Sequence, residues 1–261
     1  MTEKLKNLTG FLKEKKILVA FSGGTDSTAL LHILKSTADV NVTAVTVQGA
    51  HIPEIELNRA ISFCKKFNIE HKIVKVDVLK IKELKESDIK RCYYCKTHIF
   101  TLLKEMAGKV NADIIADGTN LDDKGDYRPG MQALKELDIF SPFLYFKIGK
   151  KEIFDYLKEQ NLDEYIQPSN ACLISRINYG TEVSEELLYK IDEFEDSLRR
   201  LGFRQVRARI HTNLLRIEIE EDKFKDFFIH LDEIKSKAEL LGKKFVTLDL
   251  QGYRTGSMNT N

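Results

Sequence analysis

The chain has 261 residues, 43% of them hydrophobic and 31% charged, with a formal net charge of +1. That length suits one large domain or two smaller ones around a substantial core. The near-zero charge argues against bulk affinity for nucleic acid or an anionic membrane. With no run of about 18 apolar residues and no apolar N-terminal region, neither a span nor a leader is predicted. Four cysteines fit a reducing cytoplasm, where thiols act in catalysis or bind metal.

Leu5, Leu8 and Leu12 predict an amphipathic helix. Ile17-Leu18-Val19-Ala20-Phe21 is an unbroken apolar run, the mark of a strand buried on both faces. Ala29, Leu30, Ile33 and Leu34 then recur at helical spacing. A second strand is expected over 40–47, a helix over 54–67, a third strand over 73–77 and a fourth over 112–116. A short fifth element is expected over 139–143, with Pro142 placing it at an edge or strand end, and a helix over 149–160. Strands separated by helix-length segments predict an α/β fold with right-handed crossovers and a parallel sheet. Over 161–181 the pattern lapses. A helix over 183–201, a hairpin of 206–211 and 215–220, a helix over 222–241 and a strand over 245–250 predict a smaller α+β layer. The expected domains are 1–165 and 166–261.

Between the first strand and its helix lies Ser22-Gly23-Gly24-Thr25-Asp26-Ser27-Thr28. Glycine lets the backbone turn sharply and lets an oxyanion approach the amides. The first-turn N–H groups of a helix lack intrahelical partners, and the dipole there favours negative charge. Hydroxyls of Ser22, Thr25, Ser27 and Thr28 add donors. One glycine would suffice for a plain capped turn, so a phosphate cradle is expected. It lacks the Lys-Ser/Thr ending of a Walker A loop and the spacing of a dinucleotide fingerprint. Ligands of parallel sheets bind beyond the carboxyl ends of strands, so Asp117-Gly118-Thr119-Asn120 is expected at the same crevice.

Arg91-Cys92-Tyr93-Tyr94-Cys95-Lys96 carries a Cys-x-x-Cys, and Cys172 lies in the irregular segment. The pair fits half a zinc site, a redox couple or an iron–sulfur ligand pair. Three thiolates from two segments suit a 4Fe-4S cluster whose open iron binds sulfide. Cys172 giving up its own sulfur, or three unrelated thiols, are the alternatives. Cys64, in an apolar helical stripe, reads as an inert core residue.

Ser22-Gly23-Gly24-Thr25-Asp26-Ser27 resembles the PP-loop of ATP pyrophosphatases, which split ATP between the α and β phosphates. That resemblance implies a HUP-like parallel-sheet domain, ATP, and a Mg²⁺ that reconciles the Asp26 carboxylate with phosphate. Several further segments are more specific: Asp117-Gly118-Thr119-Asn120-Leu121-Asp122-Asp123, Asp126-Tyr127-Arg128-Pro129-Gly130, Cys172-Leu173-Ile174-Ser175-Arg176, and the terminal Asp249-Leu250-Gln251-Gly252-Tyr253-Arg254-Thr255-Gly256-Ser257. Together they resemble the LarE-type ATP-dependent sulfur transferases of nickel-pincer cofactor biosynthesis. The resemblance implies adenylation of a carboxylate of pyridinium-3,5-biscarboxylic acid mononucleotide and its replacement by sulfur. Cys172 matches the family's sulfur-donating cysteine. The additional Cys92 and Cys95 resemble a three-cysteine, cluster-bearing branch. A homo-oligomer is also implied. A tRNA thiolase and a non-catalytic nucleotide or redox sensor are the other readings of the loop.

Arg207, Arg209 and His211 share one face, and Arg216 and Glu218 share one face of the next strand. For a substrate with two carboxylates and a phosphate these arginines would form a binding wall, since Arg forks match such oxygens. The alternative is the solvated face of a half-buried sheet. Ser175 and Arg176, flanking Cys172, are further candidates. Asp122, Asp123 and Asp126 would either hold Mg²⁺ or cap a loop.

Overall fold

The computed structural model describes residues 2–125, 129–168 and 171–258. In chain order the elements are α1 (Glu3–Leu12), β1 (Lys16–Ala20), α2 (Thr25–Lys35), β2 (Asn41–Gln48), α3 (Glu54–Lys66), β3 (Glu70–Lys75), α4 (Lys82–Lys85) and α5 (Arg91–Val110). There follow β4 (Ile114–Ala116), α6 (Pro129–Glu136), α7 (Pro142–Tyr145), α8 (Lys150–Glu159), α9 (Glu185–Arg200), β5 (Arg207–Ile210), β6 (Leu214–Glu218), α10 (Phe224–Ile229), α11 (Leu231–Ala238) and β7 (Phe245–Leu248). They sort into two compact units. The first is Met1–Gly49, Glu54–Val76 and Cys92–Asn170; the second is Ala50–Pro53, Asp77–Arg91 and Ala171–Asn261.

The first unit is built on a parallel sheet of order β3-β2-β1-β4. β1 is interior, so its alternating side chains feed two cores. Ile17, Val19 and Phe21 join Leu8, Leu30, Phe63 and Leu157 from α1, α2, α3 and α8. Leu18, with Val45, faces Phe100 and Leu103 of α5 and Leu134 of α6. Each such side chain contributes roughly 1.5–3 kcal/mol on burial, which fixes where β1 ends and hence where the loop after it stands. β3 starts three residues earlier than its apolar run suggests. It is an edge strand with most side chains partly exposed, so its paired length exceeds its hydrophobic signal. The expected element over 139–143 is reduced to one parallel bridge between Ala116 and Phe140. Pro142 instead starts α7, where its fixed φ and missing N–H suit a first helical turn.

In the second unit β5 and β6 are antiparallel and β7 joins β6 in parallel. The helix expected over 222–241 is divided at His230 into α10 and α11, and Gly242 at φ +60° closes the segment. This unit takes in 50–53 and 77–91, stretches that the division into 1–165 and 166–261 left with the first domain. Backbone hydrogen bonds attach them: Leu173 N to His51 O (2.9 Å), Gly180 N to Ser87 O (3.2 Å) and Val183 N to Lys85 O (2.7 Å). The Arg91 guanidinium donates to Ser87 and to Ile177 O (3.1 Å) and lies over the Tyr179 ring. No helix among the described residues is long and apolar enough to cross a membrane.

Candidate active site: a phosphate loop and a buried arginine cluster

At the carboxyl end of β1 the chain turns through Gly23, whose φ is +76°. A Cβ there would lie 2.5 Å from Glu56 O and 3.1 Å from Ala60 N of α3, so the residue is confined to glycine twice over. Gly24 is the N-cap of α2, with ordinary φ and no side-chain cap. The first helical bond runs from Thr28 N to Gly24 O (2.9 Å). The amides of 25–27 therefore precede the ladder and form the positive end of the helix.

The hydroxyls predicted to meet phosphate mostly brace the loop. Ser22 Oγ accepts from Gly24 N (3.3 Å) and lies 3.1 Å from Ser27 Oγ, which donates to Gly24 O (3.1 Å). Thr25 Oγ1 donates to Tyr165 O (2.9 Å) and accepts from Gln167 N (3.0 Å), tying 165–167 to the loop. Thr46 Oγ1 donates to Phe21 O (2.7 Å), so His71 Nε2, 2.8 Å from that hydroxyl, is the donor to it. Burial lowers the His71 pKa.

Asn120 Nδ2 donates to Asp26 Oδ2 (3.1 Å), holding the carboxylate in the first turn of α2. Gly118 is where β4's exit touches that turn: a Cβ would stand 2.8 Å from Ser27 N. Its role is close backbone approach, which keeps Asp117-Gly118-Thr119-Asn120 against the loop. Asp123 Oδ2 accepts from Asn120 N (3.1 Å), and Asp122 Oδ2 accepts from Lys150 N (2.6 Å) at the start of α8. Of the two roles considered for Asp122 and Asp123, these bonds are those of caps. Asp126, Tyr127 and Arg128 lie outside the described residues. A hard cation takes few protein oxygens when phosphates supply the rest, and Asp26 at the helix end fits such a Mg²⁺ site.

Cys172 stands before a single 3-10 turn, Leu173–Arg176, in the second unit. Cys92 and Cys95 stand one helical turn apart at the start of α5, and belong to the first unit. All three thiols are at least partly exposed, whereas Cys64 is buried and its pKa is pushed up to about 12 by burial. The core assignment of Cys64 holds. Thiolates are the ligands iron–sulfur clusters take, so the accessible set fits that chemistry. Among the described residues, no three His, Cys, Asp or Glu side chains are already gathered as a metal site.

Around the Cys172 turn the arginines are enclosed. The β5–β6 register sets Arg207 opposite Glu218 and Arg209 opposite Arg216, so these side chains do share a face. The alternative of a solvated face fails for Arg207 and Arg209, because all of β5 is buried, while Arg216 on β6 is partly exposed. Carboxylates from other elements meet the guanidinium groups. Arg176, 0% exposed, forks onto Glu195, also 0% exposed, through Nε (2.9 Å) and Nη2 (2.8 Å). Its Nη1 donates to the carbonyls of Ala171 and Cys172 (3.2 Å to the latter) and to Ser175 Oγ (3.2 Å). Arg209 donates to Glu218 Oε2 (2.9 Å) and Ser175 O (3.3 Å). Arg216 donates to Glu218 Oε1 (3.1 Å), which also accepts from Ser257 Oγ (2.6 Å). Arg207 lies over the Tyr253 ring, 4.9 Å from its centroid. The terminal segment singled out from sequence thus closes the cluster. Burial would raise the Glu195 pKa, but Arg176, Arg207 and Arg199 hold it down at about 2. Burial and the neighbouring Arg176 lower Arg207 to about 10.

Glu195 and His51 are absent from the sequence-based candidates. Glu195 was open to detection, since it interrupts the apolar stripe Leu188, Ile191, Phe194, Leu198 of α9. His51, 1% exposed, has no hydrogen-bond partner for either ring nitrogen among the described residues. Burial lowers its pKa to about 4.

A glycine corner at the carboxyl end of an interior parallel strand, feeding amides and one aspartate into a helix start, defines a PP-loop nucleotide domain. A PP-loop domain model matches residues 1–127. An uncharacterised protein of Methanocaldococcus jannaschii is 40% identical over 97% of this chain and 96% of its own. An uncharacterised Synechocystis protein is 34% identical over 99% and 98%. The pyridinium-3,5-bisthiocarboxylic acid mononucleotide synthase of Lactiplantibacillus plantarum is 31% identical over 99% and 95%. The chain belongs to the LarE-type ATP-dependent sulfur transferases. It is an enzyme of that class.

Two outcomes test this geometry. Gly23→Ala is expected to lower unfolding free energy by at least about 1–2 kcal/mol, the αL penalty alone. Gly24→Ala, at ordinary φ, should change it by less than about 1 kcal/mol while weakening ATP binding; denaturant titration and calorimetry read the two. His51 folds with a pKa below its unfolded value, so its contribution is complete above about pH 6.5 and is lost as pH falls towards about 4. His51→Leu removes unmade polar groups worth about 1–3 kcal/mol. It should melt higher than wild type at pH 7, and by a wider margin at pH 5.

Proposed function

We propose that this enzyme adenylates a carboxylate of pyridinium-3,5-biscarboxylic acid mononucleotide and replaces the adenylate with sulfur, a step in nickel-pincer cofactor assembly. The observation that carries the reading is a phosphate loop and an accessible, arginine-braced cysteine in one chain. The 31% identical synthase, matched along 95% of its length, supports the substrate assignment.

In this reading the amides of 25–27 and the backbone at Ser22, Gly23 and Gly24 cradle the triphosphate, with Thr25 and Ser27 holding the loop's shape. Asp26 would hold a Mg²⁺, which supplies charge to offset the phosphates, and Gly118 keeps Asn120 close enough to orient Asp26. A substrate carboxylate oxygen attacks the α-phosphorus and pyrophosphate leaves. Sulfur then attacks the acyl carbon, AMP departs with the carboxylate oxygen, and a thiocarboxylate remains. Arg207, Arg209 and Arg216 supply positive potential for the substrate's phosphate and second carboxylate, with Ser175 beside them. Arg176 serves the turn that carries Cys172 rather than offering an open fork.

Cys92, Cys95 and Cys172 would hold a 4Fe-4S cluster, which when bound supplies sulfide at its open iron. Ligand chemistry supports this, since all three thiols are at least partly exposed. Association of copies of the chain and a cytoplasmic setting belong to the same proposal.

Anaerobic purification followed by iron and sulfide analysis tests it, with intact mass taken before and after turnover on ATP and the dicarboxylate nucleotide. The expected result is about four irons per chain, unchanged protein mass, AMP, pyrophosphate and a thiocarboxylate. Cys172→Ala should abolish the thiocarboxylate. Iron-free active protein that loses the mass of H₂S would replace the cluster with sacrifice of Cys172. Absence of pyrophosphate release would overturn the whole reading.

A further inference from the structure

Glu195 belongs to no motif and, at 0% exposure, meets no solvent. Its Oε1 accepts from Arg176 Nε (2.9 Å) and from the backbone amide of Ala208 (2.9 Å). Its Oε2 accepts from Arg176 Nη2 (2.8 Å) and Arg199 Nη2 (2.9 Å). Four donors fill the lone-pair sites of one carboxylate. Arg176 carries one arm of this hub to the carbonyls of Ala171 and Cys172. Ala208 carries the other arm, since it lies between Arg207 and Arg209 on β5. We infer that Glu195 is a positioning residue for sulfur transfer. One buried carboxylate fixes the Cys172 turn and the arginine strand in a single register, and so sets where the thiol stands relative to Arg207 and Arg209.

A buried ion pair is weak evidence for stability, because well-packed apolar residues often serve as well. Its geometry here points to position instead. The guanidinium reaches past the pair to grip two successive backbone carbonyls, one of them belonging to the cysteine. A lysine in place of Arg176 keeps the charge but lacks the planar fork that holds Glu195 and these carbonyls together. Main-chain bonds limit the turn elsewhere, from Leu173 N to His51 O and from Ser175 N to Cys172 O. They hold the Cys172–Leu173 peptide, and Arg176 adds a bond to the Ala171 carbonyl on the other side of the cysteine. The inference rests on Cys172 as the sulfur-bearing residue.

The test uses the full chain with Glu195→Gln, which keeps shape and an acceptor for Ala208 but sets an amide N–H against the arginines. In metal-free protein, iodoacetamide labelling is followed at each cysteine by peptide mass mapping. Cys172 should react several-fold faster than in wild type, while Cys92 and Cys95 keep their rates. In turnover, kcat should fall by about tenfold or more with KM for ATP within about twofold, as misplacement of a reacting group predicts. Arg176→Lys should give the same selective change, and decides the matter alone if the Gln chain fails to fold. Wild-type labelling and kcat in a folded Gln variant would overturn the inference. So would equal acceleration of all three cysteines, which marks a purely structural residue. Selective Cys172 acceleration in a chain whose wild type transfers no sulfur would sink the proposed function and leave the positioning role standing.

Discussion

The turn at Gly23 and Gly24 is the constraint on which the first unit's chemistry rests. β1 is packed on both faces, so its carboxyl end is fixed by two cores at once. The chain must then leave the sheet in one residue of positive φ, tight against the backbone of α3. No side chain fits there. The turn delivers the start of α2 with its first amides outward. The loop's hydroxyls then hold that shape, so most of the loop's polar groups are preorganised before a nucleotide arrives. What such a loop offers an anion is its backbone N–H groups and the helix dipole, which do not need to be moved into place.

The second unit solves a harder electrostatic problem. Removing several guanidinium groups from water is expensive unless each is hydrogen-bonded and matched in charge. Glu195 and Glu218 do this from the centre, one on α9 and one on β6, each shared by more than one arginine. The terminal segment completes the enclosure with Tyr253 over Arg207 and Ser257 on Glu218. The result is a rigid, positively biased interior beside Cys172. A rigid interior of that sign suits an anionic partner, since the field stands ready and the donors are already oriented.

The first strand, the phosphate loop and the helix after it were legible because a doubly buried strand and a glycine corner each leave a local signature. β3 was partly legible, since an edge strand pairs further than its apolar residues extend. The attachment of 50–53 and 77–91 to the second unit was not legible at all. It is made by backbone hydrogen bonds and by Arg91 on Ile177 and Tyr179, contacts that no periodic pattern records. Arg207, Arg209 and Arg216 were found by their alternation, and the register confirms their common face. Their enclosure comes from Glu218 on Arg209 and Arg216 and from the Tyr253 ring on Arg207, the last from a segment distant in sequence. Thr25 and Gly118 have chain contacts that no local pattern announces. One ties down a distant segment and the other permits a backbone approach. His51 had no sequence signal, since an isolated histidine after a strand carries no periodic or motif information.

In the proposed reaction a carboxylate oxygen passes to AMP as sulfur takes its place. The direct measurement uses the dicarboxylate nucleotide labelled with ¹⁸O in its carboxyl groups, with mass spectrometry of both phosphate products after turnover. One heavy oxygen in AMP and none in pyrophosphate is the predicted outcome. Unlabelled AMP, or release of ADP and inorganic phosphate, would contradict it.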